Sequence, residues 1–574
     1  MRNPSLQVSV GSLVRPLTAE HLENSSSTNT VLFGSVTHQA RNHHDQPTTR
    51  MTQSPARDSA ILYHNAENTI FLIDTPHSIA LAQESVWASS TSRQAQAPRS
   101  QDSSASLQGE ICKKRRWLLS TPPLETPFPS TEPKSHAARA KVLERIPASE
   151  QRFHGEFIRP LVESALVVLR DEYQIRGGRW CLPRRVRDDD SQHQLNASTH
   201  PAGKQFNSAR KRRNKDISET ELAAQQPSDD GFSRAMPPVI LSSTAINSFE
   251  SMSDLQDSIV ENVSSENVTL AIRSTTYHDG HMYDEYTIPP YANFILCTLP
   301  ISQPECSYPS KISAIPNPIP AVPQDQKFNL LLFDPPWPNR SVRRSKHYQV
   351  NDYSEMEILT QRLRDILRTH AYHTGYSPIE NFGIGPSQHD GDAQCRVSWA
   401  AIWITNAEKA RRAAYDALTS AGFRIAEEWI WVKTTADGQP ISVVDGLWRK
   451  PYEILVIGRA DQNRDTMDLS FASTNEGNSL HGDDLLGIDP AGIKRRVIAA
   501  VPDLHSRKPN LKEVFERVFF MEGRRNGSSG SDGSDASVQS YSAMEVFARN
   551  LSAGWWACGN EVLKFNAREC WVDE

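Results

Sequence analysis

The chain has 574 residues, a net charge of -6 with histidine neutral, and a hydrophobic share of only 38%. That length accommodates two to four domains, and the low apolar share assigns part of it to segments that cannot build a core. The charge excludes a protein that is basic throughout, so any contact with nucleic acid has to come from a local patch.

Seven cysteines, at 112, 181, 297, 306, 395, 558 and 570, form no C-x-x-C pair. A reducing compartment therefore fits better than a disulfide framework, and no structural zinc is expected. No apolar run has the roughly 18 residues of a membrane span, and there is no signal-peptide core, so the chain reads as soluble and intracellular. Residues 1–145 are rich in Ser, Thr, Gln, Asn and Pro, with apolar runs as short as Ile70-Phe71-Leu72-Ile73, and are expected to be mostly disordered. Lys113-Lys114-Arg115-Arg116 is a basic run, and Arg210-Lys211-Arg212-Arg213-Asn214-Lys215 is a second, inside a polar insert at about 185–235. Together they point to the nucleus.

A small α+β region is expected over 146–325. Pro160 opens a helix with Leu161, Ala165, Val168 and Leu169 on one face. The alternation in Val268–Arg273 predicts a strand, His278-Asp279-Gly280 a hairpin turn, and Phe294-Ile295-Leu296 a buried strand.

From 326 to 574 strands and helices alternate. Asn329–Phe333 and Ala400–Ile404 predict strands, after which Asn406 caps a helix with Ala410, Ala414, Ala417, Leu418 and Ala421 on one face, ended by Gly422. Further strands are predicted at Trp429–Val432, Ile454–Ile457 and Val497–Val501. Asn510 caps a helix striped by Leu511, Val514, Phe515, Val518 and Phe519, and strands at Met544–Phe547 and Glu561–Phe565 close the domain. This order predicts an α/β fold with a mostly parallel, doubly wound sheet. Polar stretches at about 372–396, 460–490 and 523–540 read as surface insertions.

The strand at 329–333 runs into Asp334-Pro335-Pro336-Trp337. Neither proline continues a ladder, so the strand stops and leaves a carboxylate on a stiff turn at its carboxyl end, where open α/β sheets bind ligands. The indole of Trp337 beside that acceptor suits a flat heterocycle carrying an N–H donor. The domain lacks a G-x-G-x-x-G after a strand and lacks a P-loop, so neither fingerprint assigns a dinucleotide or a nucleoside triphosphate. Three more polar clusters lie at strand ends. Val501–Pro509 carries Lys508 close to a predicted helix N-terminus, a setting for an anion; the others are Glu545–Asn550 and Gly559-Asn560-Glu561. Arg340, Arg343, Arg344, Lys346 and Tyr348 follow the turn as a basic loop with an aromatic, the footprint of a single-stranded nucleic-acid contact.

Residues 327–574 resemble the MT-A family of DPPW-type adenine-N6 methyltransferases, and within it the methyltransferase-like protein 4 branch. The resemblance rests on Asp334-Pro335-Pro336-Trp337 with Asn339, Ser341-Val342 and Arg344-Ser345, then Trp431-Val432-Lys433, Lys450-Pro451-Tyr452-Glu453, His505-Ser506 with Lys508-Pro509, Phe547–Leu551 with Gly554-Trp555, and Gly559–Phe565, in that order. It implies a Rossmann-like domain that uses S-adenosylmethionine, held without a glycine-rich loop. By position, Asp334 would face the target amine and the methionine end of the cofactor, and Lys508 the methionine carboxylate. Arg549, Asn560 and Glu561 would surround the ribose, with Phe547 as an apolar wall, while Pro335, Pro336 and Trp337 complete the catalytic turn and hold the adenine. Thr298 falls where the family has an aspartate that reads the cofactor's adenine. No metal is required. The implied reaction is N6-methylation of adenine, first in RNA, including small nuclear RNA with 2′-O-methyladenosine. DNA adenine and an inert nucleic-acid-binding subunit are the alternatives, and monomer and heterodimer are both open.

Overall fold

The computed structural model describes residues 59–84, 116–186, 237–278, 281–299, 317–337, 354–372, 397–447, 449–461, 492–504, 506–521 and 538–573. The basic loop at Arg340, Arg343, Arg344, Lys346 and Tyr348 lies outside them, as do His505, the turn residues Asp279-Gly280, the run 210–215 and most of the three polar insertions.

A 12-stranded sheet organises the described residues. Its strands in chain order are β1 (Ile61–His64), β2 (Ile70–Ile73), β3 (Val239–Ile240), β4 (Ile259–Glu261), β5 (Asn293–Leu296), β6 (Leu330–Phe333), β7 (Trp399–Ile404), β8 (Phe423–Lys433), β9 (Tyr452–Ala460), β10 (Lys494–Ala500), β11 (Ala543–Val546) and β12 (Trp556–Gly559). Their spatial order is β1-β2-β10-β8-β9-β7-β6-β11-β12-β5-β4-β3. Parallel pairings join β5, β12, β11, β6 and β7, and likewise β8, β10 and β2. Because β9 is antiparallel to both β7 and β8, both groups point the same way and share one carboxyl edge.

Every side chain of β6 is buried, as an all-apolar strand covered on both faces requires. Successive residues alternate between two cores. Leu331, Phe333, Ile402, Ile404, Val432 and Val546 face the core completed by the helices α1 (Arg159–Val168), α2 (Ser354–His370) and α3 (Glu408–Ser420). Leu330, Leu332, Trp403, Trp429 and Trp431 face the other, closed by Leu511, Val514, Phe515 and Phe520. Trp429 stacks on Phe515 at 5.0 Å between ring centroids; burying one such side chain contributes about 1.5–3 kcal/mol. The protein is thus a mixed α/β fold with a large, parallel-rich sheet.

Several expectations are corrected. The stretches 59–84 and 116–145 are not disordered: β2 pairs with β10, and Asp74 caps the helix Thr75–Ala82. In the 146–325 region, β3, β4 and β5 belong to the main sheet. Pro160 does lie in the first turn of α1, but the buried face is Val162, Ala165, Leu166 and Leu169, with Leu161 and Val168 half-buried. α1 continues an earlier helical run from Ala148 through a π-helical turn at Phe153–Ile158. Asn406 caps nothing; α3 begins at Glu408 after Ala407, and the Asn406 amide donates to the carbonyl of Tyr452. Glu561–Phe565 is a run of turns, and the last strand of the main sheet is Trp556–Gly559. The buried side chain of Asn566 holds that run in place by accepting from the Leu551 N–H at 2.8 Å and donating to the Thr287 carbonyl at 2.8 Å.

Candidate active site

The chain leaves β6 for its neighbour β7 on one side, while β11 leads to β12 on the other. The carboxyl ends of β6 and β11 therefore flank a point where connections diverge, the place where open α/β sheets form a crevice. Asp334 stands at the end of β6, and its N–H donates to the Val546 carbonyl of β11 at 3.1 Å. Phe547 and Arg549 follow β11 directly. The next strand ends bring Asn560 after β12 and Thr298 after β5, where Leu296 is in register with Gly559. The backbone is tightest here. Phe547 has φ +62°, and a Cβ on Gly559 would lie 3.2 Å from the Phe547 Cα, so only glycine lets these two strand ends approach.

Asp334 is half-buried and held from two sides. One carboxylate oxygen lies 3.2 Å from Lys508 Nζ and the other 3.2 Å from Arg549 Nη1. Lys508 also reaches Glu453 at 3.0 Å, and Glu453 is paired with Lys433 at 2.6 Å. On the far side Arg549 Nε meets Glu561 at 3.1 Å, and Lys564 closes the row at 2.8 Å. Burial alone would raise the carboxyl of Glu453, but Lys508 and then Lys433 override it and hold the pKa at about 2. Burial likewise works against the Lys508 ammonium, and Asp334 and Glu453 more than offset it, holding the pKa above the usual lysine value. Glu545 on β11 stands apart. It lines a cavity of about 30 Å³ with Asp334, Lys508, Asn510 and Arg549; burial first and the charge of Asp334 second push its carboxyl up to about 8.

Trp337 is buried, and its indole N–H donates to the Trp403 carbonyl at the end of β7 at 2.6 Å. Its backbone N–H donates to the Pro335 carbonyl at 2.8 Å. Pro335 is buried and Pro336 exposed. A cleft of about 2650 Å³ opens over Asp334, Pro335, Trp337, Lys508 and Arg549 and continues past Tyr452 and Glu453. That exceeds the ~300–1,000 Å³ of a usual small-molecule site, so there is room for more than one ligand. Thr298 and Asn560 are exposed at strand ends three and two positions along the sheet from β6 and do not line this cleft; Glu561 reaches the site through Arg549.

Glu453, Lys433 and Glu545 lie within sequence motifs that assign them no role. Glu453 comes to the site because β9 runs antiparallel, which puts its amino end on the carboxyl edge of its neighbours. Trp403 was read only as part of a strand, yet it anchors Trp337 and lies 5.4 Å beneath the Lys508 ammonium. Among the described residues no group of His, Cys, Asp and Glu could hold a metal ion.

An α/β sheet with a charged crevice and a strand-end carboxylate at its carboxyl edge makes a candidate ligand-binding site. Residues 391–561 match the family profile MT-A70. The matched stretch begins beyond Asp334, and the sheet joins the two, since β6 pairs with both β7 and β11. The chain is similar to the N6-methyladenosine RNA methyltransferase MTA1 of Cryphonectria parasitica, 34% identical over 254 residues, 43% of this chain and 55% of that one. It is similar to the protein of the same name from Pyricularia oryzae, 26% identical over 529 residues, 90% of this chain and 96% of that one. A third relative is the human N(6)-adenine-specific methyltransferase METTL4, 27% identical over 285 residues, 50% of this chain and 44% of that one. The alignments thus span about half the length of the Cryphonectria and human relatives.

Proposed function

We propose that this protein is an S-adenosylmethionine-dependent methyltransferase acting on N6 of adenine in RNA, built on a Rossmann-like, doubly wound domain. The observation that carries the reading is the Asp334 carboxylate held between Lys508 and Arg549 at the divergence of β6 and β11. The relatives named for RNA methylation support RNA over the alternatives of DNA adenine and an inert subunit.

The donor set fits the cofactor. Lys508 offers an ammonium for a carboxylate, Asp334 an acceptor for an ammonium, and Glu561 a carboxylate tied to the site through Arg549, while Asn560 and Thr298, outside the cleft, would join a ligand that extends along the next strand ends. When bound, S-adenosylmethionine supplies an electrophilic methyl group on a sulfonium. Asp334 accepts from the exocyclic amine of adenine, and the Pro335 carbonyl, which already accepts from Trp337, has a second lone pair for the other N–H. Holding both N–H groups draws the nitrogen lone pair out of conjugation and aims it, which is catalysis by alignment and charge placement. Trp337, fixed through Trp403, gives the base a flat wall. A base inside a duplex does not reach this cleft, so the substrate is single-stranded or flipped. The basic loop from Arg340 to Tyr348 would contact phosphates, and the run at 210–215 supports action in the nucleus.

The test incubates the purified full chain with labelled S-adenosylmethionine and single-stranded RNA or DNA, followed by nucleoside mass spectrometry. N6-methyladenosine from RNA, lost in Asp334→Ala, is expected. Methylation of DNA alone would replace the substrate, and no transfer to either would leave the inert subunit.

A further inference from the structure

The loop after β10, residues 501–509, presents Lys508, and chain segments far from the MT-A70 match close around it. Arg184 donates through Nη1 to the carbonyls of Thr121 at 3.2 Å and Pro502 at 3.0 Å, and through Nη2 to that of Val501 at 2.9 Å. Asp503 Oδ1 accepts from the Thr121 N–H at 2.9 Å and its hydroxyl at 3.2 Å. The other oxygen of Asp503 takes Arg507 Nη1 at 2.6 Å, and that nitrogen also donates to the Leu119 carbonyl at 2.9 Å. The side chains of Arg184, Asp503 and Arg507 are 1%, 0% and 1% exposed. Beyond Lys508, the Asn510 N–H donates to the Ser78 hydroxyl at 2.9 Å. The clasp is itself anchored: Asp74 accepts from the Leu182 N–H at 2.8 Å, and Leu119 pairs with Arg185.

A nine-residue loop loses backbone entropy at each position it fixes. Charges this deeply buried persist only with their partners in place, so they admit one backbone path. Arg507 is fixed immediately before Lys508 and Asn510 two residues after it. Lys508 therefore reaches Asp334 and Glu453 from a base that it does not set itself.

We infer that the segments around Asp74–Ser78, Leu119–Thr121 and Arg184 belong to the cofactor site as a clasp, with Arg184 and Asp503 acting as positioning residues for Lys508. The inference rests on Lys508 holding the cofactor's carboxylate, as proposed above.

The test is a double-mutant cycle in the full chain, with S-adenosylhomocysteine affinity read by calorimetry. Arg184→Gln and Lys508→Ala should each weaken affinity about tenfold, and the double variant should be no more than about twofold weaker than Lys508→Ala alone. Binding of a single-stranded oligonucleotide should change less than about twofold in Arg184→Gln, and Arg184→Lys should recover part of the loss, since it keeps the charge but not the fork. If the two single effects multiply, or Arg184→Gln binds normally while Lys508→Ala does not, the clasp does not act through Lys508. If Lys508→Ala itself binds normally, the assignment of Lys508 falls and takes the inference with it. Should Arg184→Gln fail to fold, Arg184→Lys replaces it in the cycle, and the same two results support or overturn the clasp.

Discussion

The ammonium of Lys508 lies 3.2 Å from the carboxylate of Asp334. The group offered to a ligand anion is thus paired with the group offered to a ligand cation. A lone carboxylate arriving at Lys508 competes with Asp334, and a lone ammonium arriving at Asp334 competes with Lys508. An amino-acid zwitterion satisfies both at once and leaves no charge stranded.

It follows that 5′-methylthioadenosine, which lacks the amino-acid group, should bind about 100-fold or more weakly than S-adenosylhomocysteine, because it makes neither charge-assisted contact and leaves the Lys508–Asp334 pair closed. Calorimetry on the full chain checks this; equal affinities would mean that the ion pair does not open to the ligand.

Trp337 combines a wall with a tether. Trp337→Phe keeps an aromatic face but loses the bond to the Trp403 carbonyl, worth about 1 kcal/mol, and should reduce methyl transfer less than about tenfold. Trp337→Ala should also lose base stacking of about 1–3 kcal/mol and release the turn. Steady-state rates on one oligonucleotide distinguish them; equally inactive variants would show that the tether alone matters.

Two carboxyls give the stability opposite dependences on pH. Glu545, pushed up to about 8, binds its proton more tightly in the folded protein than in the unfolded chain. Its contribution is therefore greatest below pH 4.5 and declines as pH rises towards 8. Glu453, held at about 2, contributes stability above pH 4.5 that is lost as pH falls towards 2. In urea unfolding across pH, Glu545→Gln should remove the alkaline decline, gaining roughly 2 kcal/mol on the wild type between pH 5 and 8 after allowance for partial solvent access. Glu453→Gln should flatten the acid side. An unchanged alkaline slope in Glu545→Gln would show that Glu545 is already ionised at neutral pH.

Replacing Arg343, Arg344 and Lys346 together with Ala should raise the KM for RNA and leave S-adenosylhomocysteine affinity unchanged. Each lost phosphate contact should lower the log–log salt slope of binding by about 0.7. Tyr348→Ala should weaken binding at every salt concentration, as stacking is not an ionic effect. A triple variant with the wild-type slope would move the nucleic-acid path to another face.

The legible parts of the fold are those whose signal is local. Leu330–Phe333 is apolar throughout and is followed by two prolines, so its burial and its end could both be read. β1 and β2 could not, because four apolar residues among polar ones look alike whether or not a distant partner waits for them, and the partner of Ile70 is Val497. Glu561–Phe565 has the composition of a strand, but the hydrogen bonds of Asn566 to Leu551 and Thr287, set by tertiary packing, bend it into turns. In the site, Asp334 was evident from its turn, and Lys508 from the strand-to-helix junction ahead of it. Glu453 needed the direction of β9, which periodicity does not encode.

The pairing of β2 with β10 also sets the order of events during synthesis. Ile70–Leu72 can pair with β1 as soon as it leaves the ribosome, but its other edge has no partner until Val497–Ala499 follows it out. Throughout that interval one edge of an apolar strand pair stays open, a species prone to aggregation and to capture by chaperones. Other pairings also join residues far apart in the chain, such as Leu330 with Ala543 and Asn293 with Trp556, which slows folding. The Asp334 crevice needs β11 on its far side, so a nascent chain cannot engage its substrate before Ala543–Val546 has been made.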